Sequence, residues 1–245
     1  MAAEKVAFIT GGNKGLGLET ARQLGKLGIA VTIGSRDAEN GKKAAEALKV
    51  EGIHAESVRF DVTKAADYQE VYRYFEKKYG RLDILVNNAG ISRESFLGGN
   101  QTSTTAAEVL HETFDTNFFG AIQLTQTLLP LIRKSPAGRI VNLSSILGSL
   151  TLHADPNSPI YDAKSFAYDA SKAALNAFTI HLAHELKDTN IKVNSAHPGW
   201  VKTDMGTDAA PMEIQDGAKT SVALATLPED GPSGAYIHLG ETLPW

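Results

Sequence analysis

The chain has 245 residues, 42% hydrophobic and 21% charged, the proportions of a globular protein rather than a disordered or fibrous one. It contains no cysteine, which excludes disulfides and thiolate-held metals. A net charge of −4 with scattered Lys and Arg argues against a nucleic-acid partner, and no apolar run reaches bilayer-spanning length.

The first strand-like run, KVAFIT (Lys5–Thr10), starts too early to leave room for a signal peptide, so a cytoplasmic protein is expected. Strands and helices then alternate. Helical spacing of Leu18, Ala21, Leu24 and Leu27 follows the first strand, and IAVTIG (Ile29–Gly34) forms the second. A charged helix begins at Ala38, a third strand lies around Ser57–Phe60, and a third helix starts near Tyr68. LDILVNN (Leu82–Asn88) reads as the fourth strand, followed by one long helix over about Thr105–Lys134. GRIVNLSS (Gly138–Ser145) is the fifth strand, Ser165–Leu186 a helix, and IKVNSAHPG (Ile191–Gly199) the sixth strand. Apolar strands joined by helices predict a parallel sheet covered on both faces. The expected fold is α/β: a single doubly wound domain over residues 1–245, with ligands at the carboxyl ends of the strands.

TGGNKGLG (Thr10–Gly17) joins the first strand to the first helix. Gly11, Gly15 and Gly17 suit a tight turn, close approach to phosphates and close helix packing, with Asn13, Lys14 and Leu16 completing the turn. The helix N-terminus then offers N–H groups and positive potential to a pyrophosphate. An NAD site usually ends its second strand with a carboxylate, but here Ser35 and Arg36 stand there. A guanidinium beside the adenosine ribose suits a 2′-phosphate, and Lys14 adds a second cation, so NADP(H) is the expected cofactor. Asp37 is the residue that favours NAD instead.

The spacing T-G-x-x-x-G-x-G resembles the glycine motif of the short-chain dehydrogenase/reductase family, in its shorter branch. That resemblance implies that Asp61 and Val62 contact adenine, and that Asn88, Ala89 and Gly90 in NNAG support the cofactor ribose. It also distinguishes two tyrosines. Tyr168 and Lys172 lie at i and i+4 within SFAYDASKAALNAF, which reads as helix, and they match the family's Y-x-x-x-K. Tyr161 and Lys164 follow Pro159 in a loop-like stretch and do not match.

The chemistry gives the pairing a purpose. Carbonyl reduction by hydride leaves an alkoxide that needs a proton, and an ordinary phenol is a poor acid–base group at neutral pH. A nearby ammonium is expected to lower its pKa. The family pattern implies Tyr168 as acid/base and Lys172 as its tuner and ribose ligand. It also implies Ser145, the second serine of NLSS, on the substrate oxygen, and Asn117 in a proton relay. Ser145 and Tyr168 are 23 residues apart, wider than most of the shorter branch, so an insertion is expected near 150–165. Carbonyl-reductase-like members carry a larger insertion there, over a surface used by others for oligomer contact. A monomer or homodimer is therefore expected ahead of a tetramer.

HPGWVKTDM (His197–Met205) matches the family's P-G-x-x-x-T element, which implies cofactor contacts from Pro198, Gly199, Val201 and Thr203, the Val201 backbone and the Thr203 hydroxyl holding the carboxamide. By the same resemblance Ile146, Leu147, Trp200 and Met205 line the substrate pocket, and 202–217 forms a lid. His181 and His184 sit at i and i+3, but no third ligand accompanies them, so no metal is expected. His197 reads as a strand-end packing residue. The expected function is NADPH-dependent, reversible reduction of small aldehydes or ketones to alcohols. The alternatives are an NAD-dependent alcohol dehydrogenase and a non-catalytic dinucleotide sensor on the same fold.

Overall fold

Along β1 (Val6–Thr10) the side chains point alternately to two cores: Val6 and Phe8 to one, Ala7 and Ile9 to the other. A strand buried on both faces carries no polar alternation, which is why its sequence reads as a continuous apolar run. The computed structural model describes residues 4–95 and 99–245. The remaining elements follow in order: α1 (Gly15–Lys26), β2 (Ala30–Ser35), α2 (Ala38–Val50), β3 (Ala55–Arg59), α3 (Ala65–Tyr79) and β4 (Ile84–Asn87). Then come α4 (Ala107–Phe114), α5 (Gly120–Ile132), β5 (Arg139–Leu143), α6 (Leu150–Ala154), α7 (Phe166–Glu185), β6 (Lys192–Ala196), α8 (Ile214–Ala225), β7 (Tyr236–His238) and β8 (Glu241–Thr242).

All eight strands form one sheet in the order β3-β2-β1-β4-β5-β6-β7-β8. The order reverses between β1 and β4, and in a doubly wound fold the crevice outside that point is where ligands sit. Val71 and Phe75 of α3, Leu124 and Leu128 of α5 and Leu182 of α7 pack on one face. Leu24 of α1, Leu48 of α2 and Leu224 of α8 cover the other. The sheet's two edges are β3 and β8. On β3, Glu56 is held by Lys78 and by the Tyr74 hydroxyl, and Arg59 pairs with Asp67 at 2.8 Å.

The expected architecture holds, with three differences. The sheet is not wholly parallel, because β8 returns antiparallel to β7. The long helix is interrupted: a π-helical stretch, Asp115–Phe119, separates α4 from α5. The expected lid also runs too far, since α8 begins at Ile214 and takes the last four of its residues. The segment from 150 to 165 contains α6 and a series of turns, pinned inward by Ile160 at 7% exposure.

Candidate active site

Three carboxyl-end connections converge where the strand order reverses. The first is the glycine turn. Gly11 and Gly15 have φ of +63° and +55°, a region in which residues with a Cβ are strained. A Cβ at Gly17 would stand 2.5 Å from Asn88 Nδ2, so only glycine lets α1 sit this close to β4's exit. Lys14, the N-cap of α1, makes no side-chain cap bond, and the helix has no acidic residue in its first turn. A helix start in that condition presents donors and positive potential, the chemistry that an anion requires.

The second connection is NNAG. Asn88 Nδ2 donates to the carbonyls of Thr10 (2.7 Å) and Gly11 (3.2 Å), tying the fourth strand's exit to the glycine turn. The Ala89 N–H donates to Thr10 Oγ1 at 2.9 Å. A Cβ on Gly90 would lie 3.5 Å from Lys172 Nζ, so this turn closes against the buried lysine. Asn87, beneath it, donates to Thr125 and Asn142, and Asn142 donates in turn to Thr179 on α7.

The third is the end of β5. Ser145 follows it in extended conformation and accepts the Leu147 N–H at 3.3 Å, starting a short 3-10 turn over Ile146 and Leu147. From α7, Tyr168 comes near enough to the Ser145 side chain for that hydroxyl to favour its phenolate. Lys172 Nζ stands 5.5 Å from the Tyr168 ring centre and donates to the Leu143 carbonyl at 2.7 Å. Asn117 reaches the same place from the π-helical stretch. Its Oδ1 accepts the Ile91 N–H at 2.8 Å, and its Nδ2 donates to the Ile91 carbonyl and to Ser171. Such wide turns re-aim a side chain within a helix, and no periodicity in the sequence announces them.

The chain matches the short chain dehydrogenase family model over residues 5–214. It belongs to the short-chain dehydrogenase family. It is 33% identical to short-chain dehydrogenase/reductase 1 of Saponaria officinalis, over 100% of this chain and 97% of that protein. It is 34% identical to human carbonyl reductase [NADPH] 1, over 98% of each chain. That alignment runs over 279 residues against the 245 here, so the human protein holds residues with no counterpart in this chain. Among solved structures, salutaridine reductase from Papaver somniferum superposes with a TM-score of 0.83 at 30% identity, over 95% of this chain and 99% of that one.

In this short-chain dehydrogenase the other expected residues gather unevenly. Thr203 approaches the glycine turn: its Cγ2 would be 3.8 Å from a Cβ on Gly15. Val201 forms a bridge with Met212, and Asp204 pairs with Lys14 at 2.5 Å, so the segment after β6 crosses over the glycine turn. Pro198 and Gly199 lead into that segment, Gly199 at a φ of +90°. Trp200 is half exposed and donates to the Gly206 carbonyl within its own loop, and Met205 is half-buried there. Asp61 holds Thr63 through its carboxylate, whereas Val62 is buried in the core with its carbonyl taken by Tyr68. Arg36 is exposed just beyond β2.

The second tyrosine–lysine pair also forms, away from the site. Lys164 Nζ sits 4.9 Å from the Tyr161 ring centre and donates to the His153 carbonyl at 3.0 Å, knitting the inserted segment together. Sequence reasoning missed Glu94. Its Oε2 accepts the Tyr168 N–H at 3.0 Å, capping α7 from a loop 74 residues away, and nothing local marks it.

The electrostatics depart from expectation. Burial pushes the Tyr168 phenol up to about 12, although the neighbouring Ser145 side chain pulls the other way. Burial also pushes Lys172 down to about 8. The expected lowering of Tyr168 by Lys172 does not occur in the protein alone, where burial dominates both groups. At neutral pH the phenol therefore holds its proton.

Proposed function

We propose that this chain is an NADP(H)-dependent carbonyl reductase acting on small aldehydes or ketones. The observation that carries the reading is the meeting of Ser145, Tyr168 and Lys172 beside the Gly90 turn, at the switch point of the sheet. The residues present suit the dinucleotide. The uncapped start of α1, with Gly11, Asn13, Gly15, Leu16 and Gly17, would hold the pyrophosphate. Lys14 and Arg36 would hold a 2′-phosphate, which must displace Asp204 from Lys14; that ion pair is exposed and correspondingly weak. Asp61 and Val62 would meet the adenine, and Asn88, Ala89 and Gly90 the ribose. Pro198 and Gly199 would also meet the cofactor, and the Val201 backbone and the Thr203 hydroxyl would hold the carboxamide. When bound, the reduced cofactor supplies a hydride equivalent for the carbonyl carbon.

This chain's own residues handle the oxygen. Ser145 donates a hydrogen bond to the carbonyl oxygen and holds it against Tyr168. As negative charge grows there, Tyr168 passes over its phenolic proton, leaving the alcohol. Lys172, charged below about pH 8, stabilises the phenolate left behind and would bond the ribose hydroxyls. Asn117 pins the Ile91 backbone and Ser171 around that lysine. Ile146, Leu147, Trp200 and Met205 give the substrate an apolar wall. A phenol that keeps its proton at neutral pH is loaded for reduction, and the reverse oxidation calls for alkaline conditions.

Oxidation of NADPH with a simple aldehyde tests the reading. Tyr168→Phe should lower kcat about a hundred- to ten-thousandfold while NADPH still binds. Arg36→Asp should weaken NADPH about ten- to a hundredfold, the value of one or two charge-assisted hydrogen bonds, with NADH little changed. Unimpaired turnover in Tyr168→Phe would defeat the assignment.

A further inference from the structure

The backbone ladder of β5 ends one residue short of the catalytic serine: the Ser144 N–H donates to the Ala196 carbonyl at 2.8 Å, and the sheet pairing stops there. The next peptide unit, between Ser145 and Ile146, is held by the Gly148 N–H, which donates to its oxygen at 2.7 Å, and by two side chains. Its carbonyl oxygen accepts the Tyr236 hydroxyl, and its N–H donates to His197 Nδ1 at 3.1 Å. Tyr236 is wholly buried on β7, and His197, at 7% exposure, follows β6. A peptide unit is planar, so gripping its oxygen and its N–H fixes the plane and with it the backbone on which the Ser145 hydroxyl is mounted.

Each grip is itself secured. His238 Nδ1 donates to the His197 carbonyl at 2.9 Å, and the two imidazoles lie 4.7 Å apart. Burial, with help from His238, pushes His197 down to about 3, so its Nδ1 keeps the lone pair that the Ile146 N–H needs. The Tyr236 ring stacks on Trp245, with ring centres 5.4 Å apart and planes 19° from parallel. Trp245 returns to the inserted segment through its carbonyl, which accepts the Thr151 N–H of α6 at 3.0 Å.

We propose that Tyr236 and His197 are positioning residues that clamp the Ser145–Ile146 peptide and so aim the Ser145 hydroxyl at the substrate oxygen. The inference rests on the catalytic role given to Ser145 above. Tyr236→Phe removes one hydroxyl without changing shape. His197→Leu removes the acceptor, and His197→Asn returns a carbonyl oxygen near the place of Nδ1.

Tyr236→Phe and His197→Leu should each lower kcat about tenfold, the worth of one buried hydrogen bond, with the NADPH dissociation constant unchanged. His197→Asn should recover most of that loss. The deciding measurement is a double-mutant cycle. In a Ser145→Ala background, adding Tyr236→Phe should cost less than about twofold, because the group it acts through is gone. An equal loss in both backgrounds overturns the clamp while leaving Ser145 catalytic. A Ser145→Ala variant with full turnover removes the serine's role and the clamp's purpose together. Should Tyr236→Phe fail to fold, the His197→Leu and His197→Asn pair is put through the same cycle.

Discussion

Lys172 is a cation at 4% exposure that donates its hydrogen bond to the Leu143 carbonyl rather than to a carboxylate. Desolvating a charge in this way works against folding. Burial lowers its pKa from 10.5 to about 8, so the stability this group contributes is complete above 10.5 and is lost as pH falls through about 8. Lys172→Met is therefore expected to melt higher than the parent at pH 7 and to lose at least about a hundredfold in kcat. The gap in melting temperature should close as pH is raised past the lysine's ordinary pKa, which melting curves across that range would check. A variant that melts lower at pH 7 would contradict the argument. That Tyr168, Lys172, Ser145 and Asn117 come together was legible from their spacing and order along the chain. The direction of the phenol's shift was not, because desolvation depends on neighbours that only folding supplies.

At the scale of elements, α7 needs help at its start. Its N-cap, Ser165, makes no side-chain cap bond. Asp169 Oδ2 accepts the Ser165 N–H at 2.9 Å and Glu94 Oε2 accepts the Tyr168 N–H, so two carboxylates replace the missing cap. Burial first, and then the charge of Glu94, raises Asp169 from 3.8 to about 7. A raised carboxyl gives stability that is full below its ordinary pKa and fades as pH rises through about 7. Asp169→Asn should flatten that slope in denaturant titrations between those limits. Glu94→Ala should cost about 1 kcal/mol, a typical helix-cap value, and speed amide exchange at Tyr168. Unchanged exchange would exclude the cap. The helix itself was plain from its 3.6-residue spacing, but a cap arriving from a distant loop leaves no local pattern. The same holds for the π-helical stretch around Asn117 and for α6, whose five residues are too few to set a period.

At the scale of the whole molecule, the alternation of apolar strands and helices was enough to foresee the doubly wound sheet and its binding edge. The last strands escaped notice because β7 and β8 have three and two residues, too few for any alternation to register. Among the described residues no helix is long and apolar enough to cross a membrane. The two borders of the sheet are guarded in different ways, one by brevity and the other by charge. Open borders invite neighbouring molecules to add strands of their own, the first step toward fibrils and precipitates. Removing the acid from the longer border, as in Glu56→Val, should therefore bring turbidity at protein concentrations that the parent tolerates, as read by light scattering. Resistance to clumping would then reside in a handful of border charges far from any chemistry.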